Sequence, residues 1–256
     1  MRKALEIIVP SRRRPGNMAK LFSLLPAARV LVDKIEEAEY AAVCPPGRLI
    51  LHPSLDRISK IRNFALDSSD AECVVMADDD LTCVRGLMGS RQRKIVEPEA
   101  IARILWNAYQ TTSDLNLSLY GFARDVRWAI MAALPHNPYS FVAPAAGCFG
   151  IVGKELRFDD MLVTREDVDV TLQALLKQRI LLHDRRFYFD FGRTWKGAGG
   201  NQGRRTAEVE RIDNERIASK WGSYISFSTK DSKGAAMSIR VKRKSELGTG
   251  GESKKL

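Results

Sequence analysis

Cysteine is scarce in this sequence and poorly spaced for metal or disulfide work. Cys44, Cys73, Cys83 and Cys148 show no CxxC spacing, so neither a zinc knuckle nor a disulfide framework is expected. Scattered thiols of this kind fit a reducing, cytoplasmic setting. Histidine is scarcer still, with His52, His136 and His183 alone. No apolar stretch approaches the roughly 18 uncharged residues of a membrane helix, so a soluble chain with no membrane partner is expected. The first apolar run is broken by Glu6 and Pro10, which is too early for a secretory signal. Internal repeats are absent. So is a glycine-rich phosphate loop after that run, where Pro10 to Gly16 supplies arginines instead.

What is present is ordinary globular material with a basic bias. The 256 residues are 45% hydrophobic and 28% charged, which argues against a wholly disordered, collagen-like or coiled-coil chain. We read residues 1–247 as one domain and the Gly-, Ser- and Lys-rich 248–256 as a disordered basic tail. Lys and Arg number 41 against 31 Asp and Glu, a formal charge of +10. That excess fits a polyanionic partner, nucleic acid included, and it equally fits a basic solubilising surface.

Apolar runs and helical periods alternate along the chain, the pattern of an α/β protein with a mixed, mostly parallel central sheet flanked by helices. Leu5 to Val9 reads as a strand buried on both faces, with Arg12, Arg13 and Arg14 directly after Pro10 and Ser11. Short helices are expected over Asn17 to Leu25 and Glu36 to Val43, and strands over Ala28 to Val32 and Leu49 to Leu51. Ser54 can cap a helix in which Leu55, Ile58, Ile61 and Leu66 recur at helical spacing. Cys73 to Ala77 then forms a second buried strand that runs into Asp78, Asp79 and Asp80. A longer helix is expected over Pro98 to Thr112 and a strand over Leu115 to Phe122. Phe141 to Val152 reads as Gly- and Ala-rich with a strand near its end, and Phe187 to Phe191 as a strand. Gly192 to Arg205 reads as a mobile basic loop, and Glu208 to Trp221 as a last helix.

The chemistry concentrates where strands end, the edge at which open α/β sheets bind ligands. Side chains alternate along a strand, so Asp78 and Asp80 share a side. Two hard carboxylates there can hold Mg²⁺ or Mn²⁺ and leave positions open for phosphate oxygens, and a solvated acidic turn is the other reading. Arg12 to Arg14, and Arg62 with Asn63 ahead of the second buried strand, can supply guanidinium donors for phosphates and an amide for a base or ribose. Either cluster can also be a hydrated face. Thr164 with an acidic residue three places on resembles a capping box for an apolar helix. The same Glu166 and Asp167 can serve as general base toward an acceptor hydroxyl.

Together these segments resemble a glycosyltransferase of the GT-A fold. The resemblance rests on Ile7 to Arg12, Lys60 to Asn63, the Asp78-Asp79-Asp80 form of the DxD motif, and Gly150 to Val152 leading through Phe158 to Asp160 into Arg165 to Asp167. Within that superfamily the chain looks most like the TET-associated glycosyltransferases of bacteriophages, linked to sugar transfer onto 5-hydroxymethylated pyrimidines in DNA. The resemblance implies a nucleotide-sugar donor, a UDP-sugar first, and Mn²⁺ or Mg²⁺ on Asp78 and Asp80. It implies donor contacts at Pro10, Ser11, Arg12, Arg62, Asn63, Asp78, Asp79 and Arg204. It makes Asp167, assisted by Glu166, the base of an inverting transfer, and His183 the late metal ligand that GT-A enzymes often add. For a phage-encoded chain the cytoplasm is that of the host.

DNA as acceptor suits the basic residues of Arg185-Arg186, Arg193 to Arg205 and Lys242 to Lys244, with Trp195 and Trp221 as bases' stacking partners or as plain anchors. The rival enzymatic reading is a nucleotidyltransferase, which also holds a nucleotide over metal-bound aspartates. The sequence is also compatible with a glycosyltransferase acting on a glycan or small molecule, and with a non-catalytic DNA-binding protein.

Overall fold

The computed structural model describes residues 3–88, 91–123, 138–191, 200, 204–228 and 236–241. Most of the expected basic loop, with Arg193, Trp195 and Lys196, the run Lys242 to Lys244 and the tail 248–256 lie outside the described residues.

The first half of the chain alternates strand and helix. Strand β1 (Leu5–Pro10) leads to α1 (Met18–Leu24), β2 (Arg29–Asp33), α2 (Glu37–Ala41), β3 (Leu49–His52), α3 (Ile58–Asp67) and β4 (Cys73–Ala77). A hairpin follows, β5 (Leu81–Met88) and β6 (Arg91–Ile95), and then α4 (Pro98–Asp114) and β7 (Leu119–Ala123). The rest comprises β8 (Tyr139–Ser140), β9 (Cys148–Val152), α5 (Glu166–Gln178), β10 (Leu182–Phe191), α6 (Ala207–Trp221) and a small pair, β11 (Ile225–Ser228) and β12 (Ala236–Ile239).

Helices cover both faces of the main sheet, which is why β4 is buried at every position and reads as an unbroken apolar run. Alternation sends Ile7, Val9, Val30 and Val75 to one face, where they meet Met18 and Leu21 of α1 and Ile101 and Leu105 of α4. Ile8, Leu31, Val74 and Met76 point the other way, onto Ile61 and Leu66 of α3 and Val170 and Leu175 of α5. A third, smaller cluster joins Leu162, Val168 and Leu172 to Ile217 of α6 and Ile225.

Among the described residues the strands run in the order β3-β2-β1-β4-β9-β7-β10-β5-β6, with β8 beside β10. The strands β1 to β4 are mutually parallel, β9 opposes β4, and β7 opposes β9, so β7 and its parallel neighbour β10 point the same way as β4. The carboxyl ends of β1, β2, β4, β7 and β10 therefore share one edge. The first residues of β9 and β5 join them, Cys148 opposite Ala77 and Leu81 opposite Phe191.

Three local expectations give way to tertiary structure, and one element arises unannounced. The helix expected to begin at Ser54 begins at Ile58, because the Ser54 hydroxyl is turned to the Asp33 carboxylate at 2.9 Å. Leu115 is not strand: α4 runs on to Asp114, Asn116 turns with φ 53°, and pairing starts at Leu119. The hairpin β5–β6, which no local period announces, forms because β5 pairs along the second half of β10, Phe187 to Phe191. Thr164 does not cap α5; its hydroxyl donates to Asp213 instead, at 2.9 Å.

Candidate active site

The shared edge gathers charged groups from β1, β4, α3 and α5. Asp78, Asp79 and Asp80 form a turn beyond β4, fixed by the Asp78 amide donating to the Gly147 carbonyl at 2.9 Å. The outer two side chains stay open, Asp78 at 35% exposure and Asp80 at 29%, and the middle one is buried at 5%. Burial thus splits the triplet into two outward carboxylates and one inward.

The inward one holds the loop after β1. Ser11 Oγ donates to Asp79 Oδ2 at 2.6 Å, and Arg14 Nη1 donates to Asp79 Oδ1 at 2.8 Å. The Tyr40 hydroxyl closes the network, 2.7 Å from Ser11 Oγ and accepting from the Arg14 amide at 3.0 Å. Burial pushes that phenol up to about 12, so it stays protonated. Of the three early arginines it is Arg14 that reaches the aspartates, with Asp80 Oδ2 a further 3.5 Å contact. Asp80 is pushed up to about 6 by burial and by its acidic neighbours Asp78 and Asp79. Tyr40 carries no sequence signal of this role, since it reads as a helix core residue.

Arg62 spans the other half. It sits at the inner face of α3, its guanidinium over the rings of Phe149 at 5.1 Å and Phe158 at 5.6 Å. Nη1 donates to Glu166 Oε1 at 2.8 Å and Nη2 to Asp78 Oδ1 at 3.3 Å. The acids after β4 and the acidic helix start, 88 residues apart by number (166 minus 78), are thereby tied through one cation. Glu166 is pushed up to about 7, chiefly by burial, against the pull of Arg62 and with Asp167 and Asp78 adding to the rise. Asp167 Oδ1 accepts from the Val168 amide at 2.9 Å, and its Oδ2 has no partner among the described residues.

The other expected site residues scatter. Pro10 closes β1. Arg12 accepts from the Gly200 amide at 2.9 Å through its carbonyl, and its charge adds to the Ile35 amide and the Ser54 hydroxyl, which against burial hold Asp33 below the usual carboxylate range. Arg204 lies among like charges, Arg12, Arg13 and Arg57, which with burial lower its pKa. Asn63 is occupied in backbone work: Nδ2 donates to the Phe158 carbonyl at 2.8 Å and Oδ1 accepts from the Phe158 amide at 2.9 Å. Trp221 is an anchor, its Nε1 donating to Asp169 at 2.8 Å.

His183 is not brought to the aspartates. It pairs with Gly121, which pairs with Phe149, which pairs with Met76, so three strand spacings of ~4.8 Å put it about 14 Å from β4. It is buried, and burial pushes it down to about 4. Among the described residues no group of three His, Cys, Asp or Glu stands ready to hold a metal. Two open carboxylates nevertheless suit Mg²⁺ or Mn²⁺, which keep several waters and take the remaining oxygens from a substrate's phosphates. The mutual repulsion that raises Asp80 is what a divalent cation relieves.

No protein-family model matches this chain, and no curated protein does. Solved structures do. The mannosyltransferase PcManGT of Pyrobaculum calidifontis, in complex with GDP-Man and Mn²⁺, superposes with a TM-score of 0.54 at 14% identity, over 77% of this chain and 59% of that one. Glucosyl-3-phosphoglycerate synthase of Mycobacterium tuberculosis, with Mn²⁺, UDP and phosphoglyceric acid, gives 0.52 at 10% identity over 93% of this chain and 86% of that one. TarS of S. aureus gives 0.45 at 15% identity, over 73% and 60%, too loose to carry an argument. This chain thus spans about three fifths of the solved TarS fragment, residues 1–349, and of the mannosyltransferase chain. At such identities the likeness shows the fold: a GT-A fold, with no helix of the described residues long and apolar enough to cross a membrane.

Proposed function

We propose that this GT-A chain is a metal-dependent glycosyltransferase that moves a sugar from a nucleoside-diphosphate sugar to an acceptor hydroxyl. One observation carries the reading: in this fold, Arg62 joins the open carboxylates after β4 to the acidic start of α5. A donor site and an acceptor base have to lie on opposite sides of one anomeric carbon, and these two groups face each other across a single guanidinium.

Asp78 and Asp80 would hold the cation. Once bound, Mn²⁺ or Mg²⁺ supplies charge stabilisation for the departing diphosphate. Ser11 and Arg14, braced by Asp79, orient the diphosphate, and Arg12 and Arg204 add positive potential above it. Arg62 lies where the sugar and its phosphate meet. The acceptor oxygen bonds to the anomeric carbon as the bond to the diphosphate breaks, and its proton passes to the free oxygen of Asp167. Glu166 keeps Arg62 in place. Of two neighbouring structures one holds a donor of this kind, GDP-Man, and the other the bare nucleoside diphosphate UDP.

For the acceptor we favour the hydroxymethyl group of 5-hydroxymethylcytosine or a related pyrimidine in DNA. Support comes from the formal charge of +10 and from the mutually repelling arginines around Arg204. Basic residues that neutralise phosphates make binding weaken steeply with salt, and because that hydroxyl already projects into the major groove, base flipping is not obligatory. The test is mass spectrometry of nucleosides from hydroxymethylated DNA incubated with the protein, Mn²⁺ and a panel of nucleotide sugars. A hexose-sized gain with release of a nucleoside diphosphate is expected, abolished in Asp80→Ala. Pyrophosphate release would instead identify a nucleotidyltransferase, and retained turnover in Asp80→Ala would remove the metal site.

A further inference from the structure

The turn that delivers Glu166 and Asp167 is held from outside α5. Asp213, on α6, is 2% exposed, and its Oδ2 accepts three hydrogen bonds from one short stretch. The donors are the Val163 amide at 3.1 Å, the Thr164 amide at 2.7 Å and the Thr164 hydroxyl at 2.9 Å. The next residue on each element repeats the contact, with Arg165 Nε donating to Asn214 Oδ1 at 3.2 Å. Arg165 has φ 65°, a left-handed conformation that an arginine holds only when its surroundings impose it, and α5 starts at the following residue without a side-chain cap.

Apolar packing alone would keep α6 on α5, since Ile217 already meets Leu162, Val168 and Leu172. Such contacts are non-directional. A buried carboxylate aimed at two consecutive amides is directional, and its buried charge is made tolerable by these three donors together with Arg216, whose Nη1 lies 4.0 Å from Oδ1. Further along the same helix pair, Trp221 Nε1 and Lys220 Nζ both bond Asp169 Oδ1 at 2.8 Å. Helix α6 therefore grips α5 on either side of Glu166 and Asp167 along the chain.

We propose that Asp213 is a positioning residue, which sets the direction from which the start of α5 presents Glu166 to Arg62 and Asp167 to the acceptor. The inference rests on the glycosyltransferase reading above for its consequence in catalysis, and on the turn geometry for its structural half. It assigns α6, some fifty residues downstream, a share in the acceptor side of the site while the donor side, built by Ser11, Arg14 and Asp79, stays independent of it.

Three variants test it. Asp213→Ala takes the carboxylate away from the Val163 and Thr164 amides; kcat for transfer falls about 30-fold, as a shift of under 1 Å in a reacting group allows, while the KM for donor moves less than about twofold. Asp213→Asn keeps an oxygen in the Oδ2 position and restores kcat to within about threefold of wild type. Trp221→Phe removes an α6–α5 hydrogen bond without touching the turn, lowers the melting temperature and leaves kcat unchanged. Amide hydrogen exchange over residues 162–167 is read in parallel and needs no activity: it accelerates in Asp213→Ala and in neither other variant. Should Asp213→Ala fail to fold, Asn214→Ala releases Arg165 alone and shows the same pattern with a drop of about fivefold.

Wild-type kcat in a folded Asp213→Ala overturns the proposal. So does an Asp213→Asn as impaired as Asp213→Ala, or a loss of kcat that merely follows melting temperature across all variants. A wild type that neither binds a nucleoside diphosphate nor transfers sugar defeats the glycosyltransferase reading instead, and the exchange experiment then still decides whether Asp213 holds the turn.

Discussion

Arg62 Nη1 lies 2.8 Å from Glu166 Oε1, and the same guanidinium reaches Asp78 with its other nitrogen at 3.3 Å. Breaking a buried pair by deleting one partner strands the other charge, at a cost of about 3–5 kcal/mol. Arg62→Ala should therefore lose stability in that range by urea denaturation, along with transfer activity. Arg62→Lys keeps the charge on a point-like ammonium that cannot span both carboxylates. It should recover at least half the stability and still fall about tenfold or more in kcat.

Glu166 makes stability depend on pH. Its pKa rises from 4.5 to about 7 in the folded chain, with burial as the largest cause. A carboxyl raised in this way favours the folded state while protonated. Its contribution is complete below about 4.5 and is lost as pH climbs through about 7. Thermal melts from pH 4.5 to 8 should show the metal-free wild type losing ground to Glu166→Gln over that interval. Wild type gaining on the variant would mean that the Arg62 pair outweighs burial.

Tyr40→Phe removes a hydroxyl that touches both Ser11 Oγ and the Arg14 amide. The ring still packs, so the expected loss is about 1–2 kcal/mol, that of an amide and a hydroxyl left short of a partner. The looser loop should weaken binding of a nucleoside diphosphate about fivefold by calorimetry, and unchanged affinity would separate this network from the donor site.

Gly147 has φ +73°, and a Cβ there would lie 2.6 Å from Phe191 Cε2. Its carbonyl also accepts from the Asp78 amide. Gly147→Ala should lower stability by more than the ~1–2 kcal/mol of left-handed strain, and should reduce Mn²⁺ affinity about tenfold in the presence of a nucleoside diphosphate. Adding Phe191→Leu removes the clash and leaves the strain, so the double variant should recover only part of the loss.

Much of the core was legible locally. The β1 and β4 runs stand out because burial on both faces leaves nothing to alternate, and α4 because one stripe of isoleucine and leucine faces the sheet. The placing of acids at a strand end followed from β4 alone. What stayed hidden depends on contacts distant in sequence. Thr164 has the local chemistry of a cap, but Asp213 competes for its hydroxyl. Ser54 likewise serves Asp33 rather than its own helix. His183 has the right residue type in the right region, and only the strand order shows it three strands from the aspartates. Arg12 and Arg14 cannot be ranked by composition; the buried Asp79 selects Arg14.

Strand β9 lies between β4 and β7 and opposes both, so β7 ends at Ala123 and β9 begins at Cys148 on the same rim, next to Asp78, with β8 touching β10 in between. The described part of the chain between them is tied down at several points: β8 pairs with β10, the Ala145 amide donates to the Thr171 hydroxyl at 3.1 Å, and the Gly147 carbonyl holds the Asp78 amide. Sequence change within 138–147 is therefore felt at the Asp78 turn as well as in the apolar layer that holds Ala145, so this stretch is a keystone of the rim rather than an exchangeable loop.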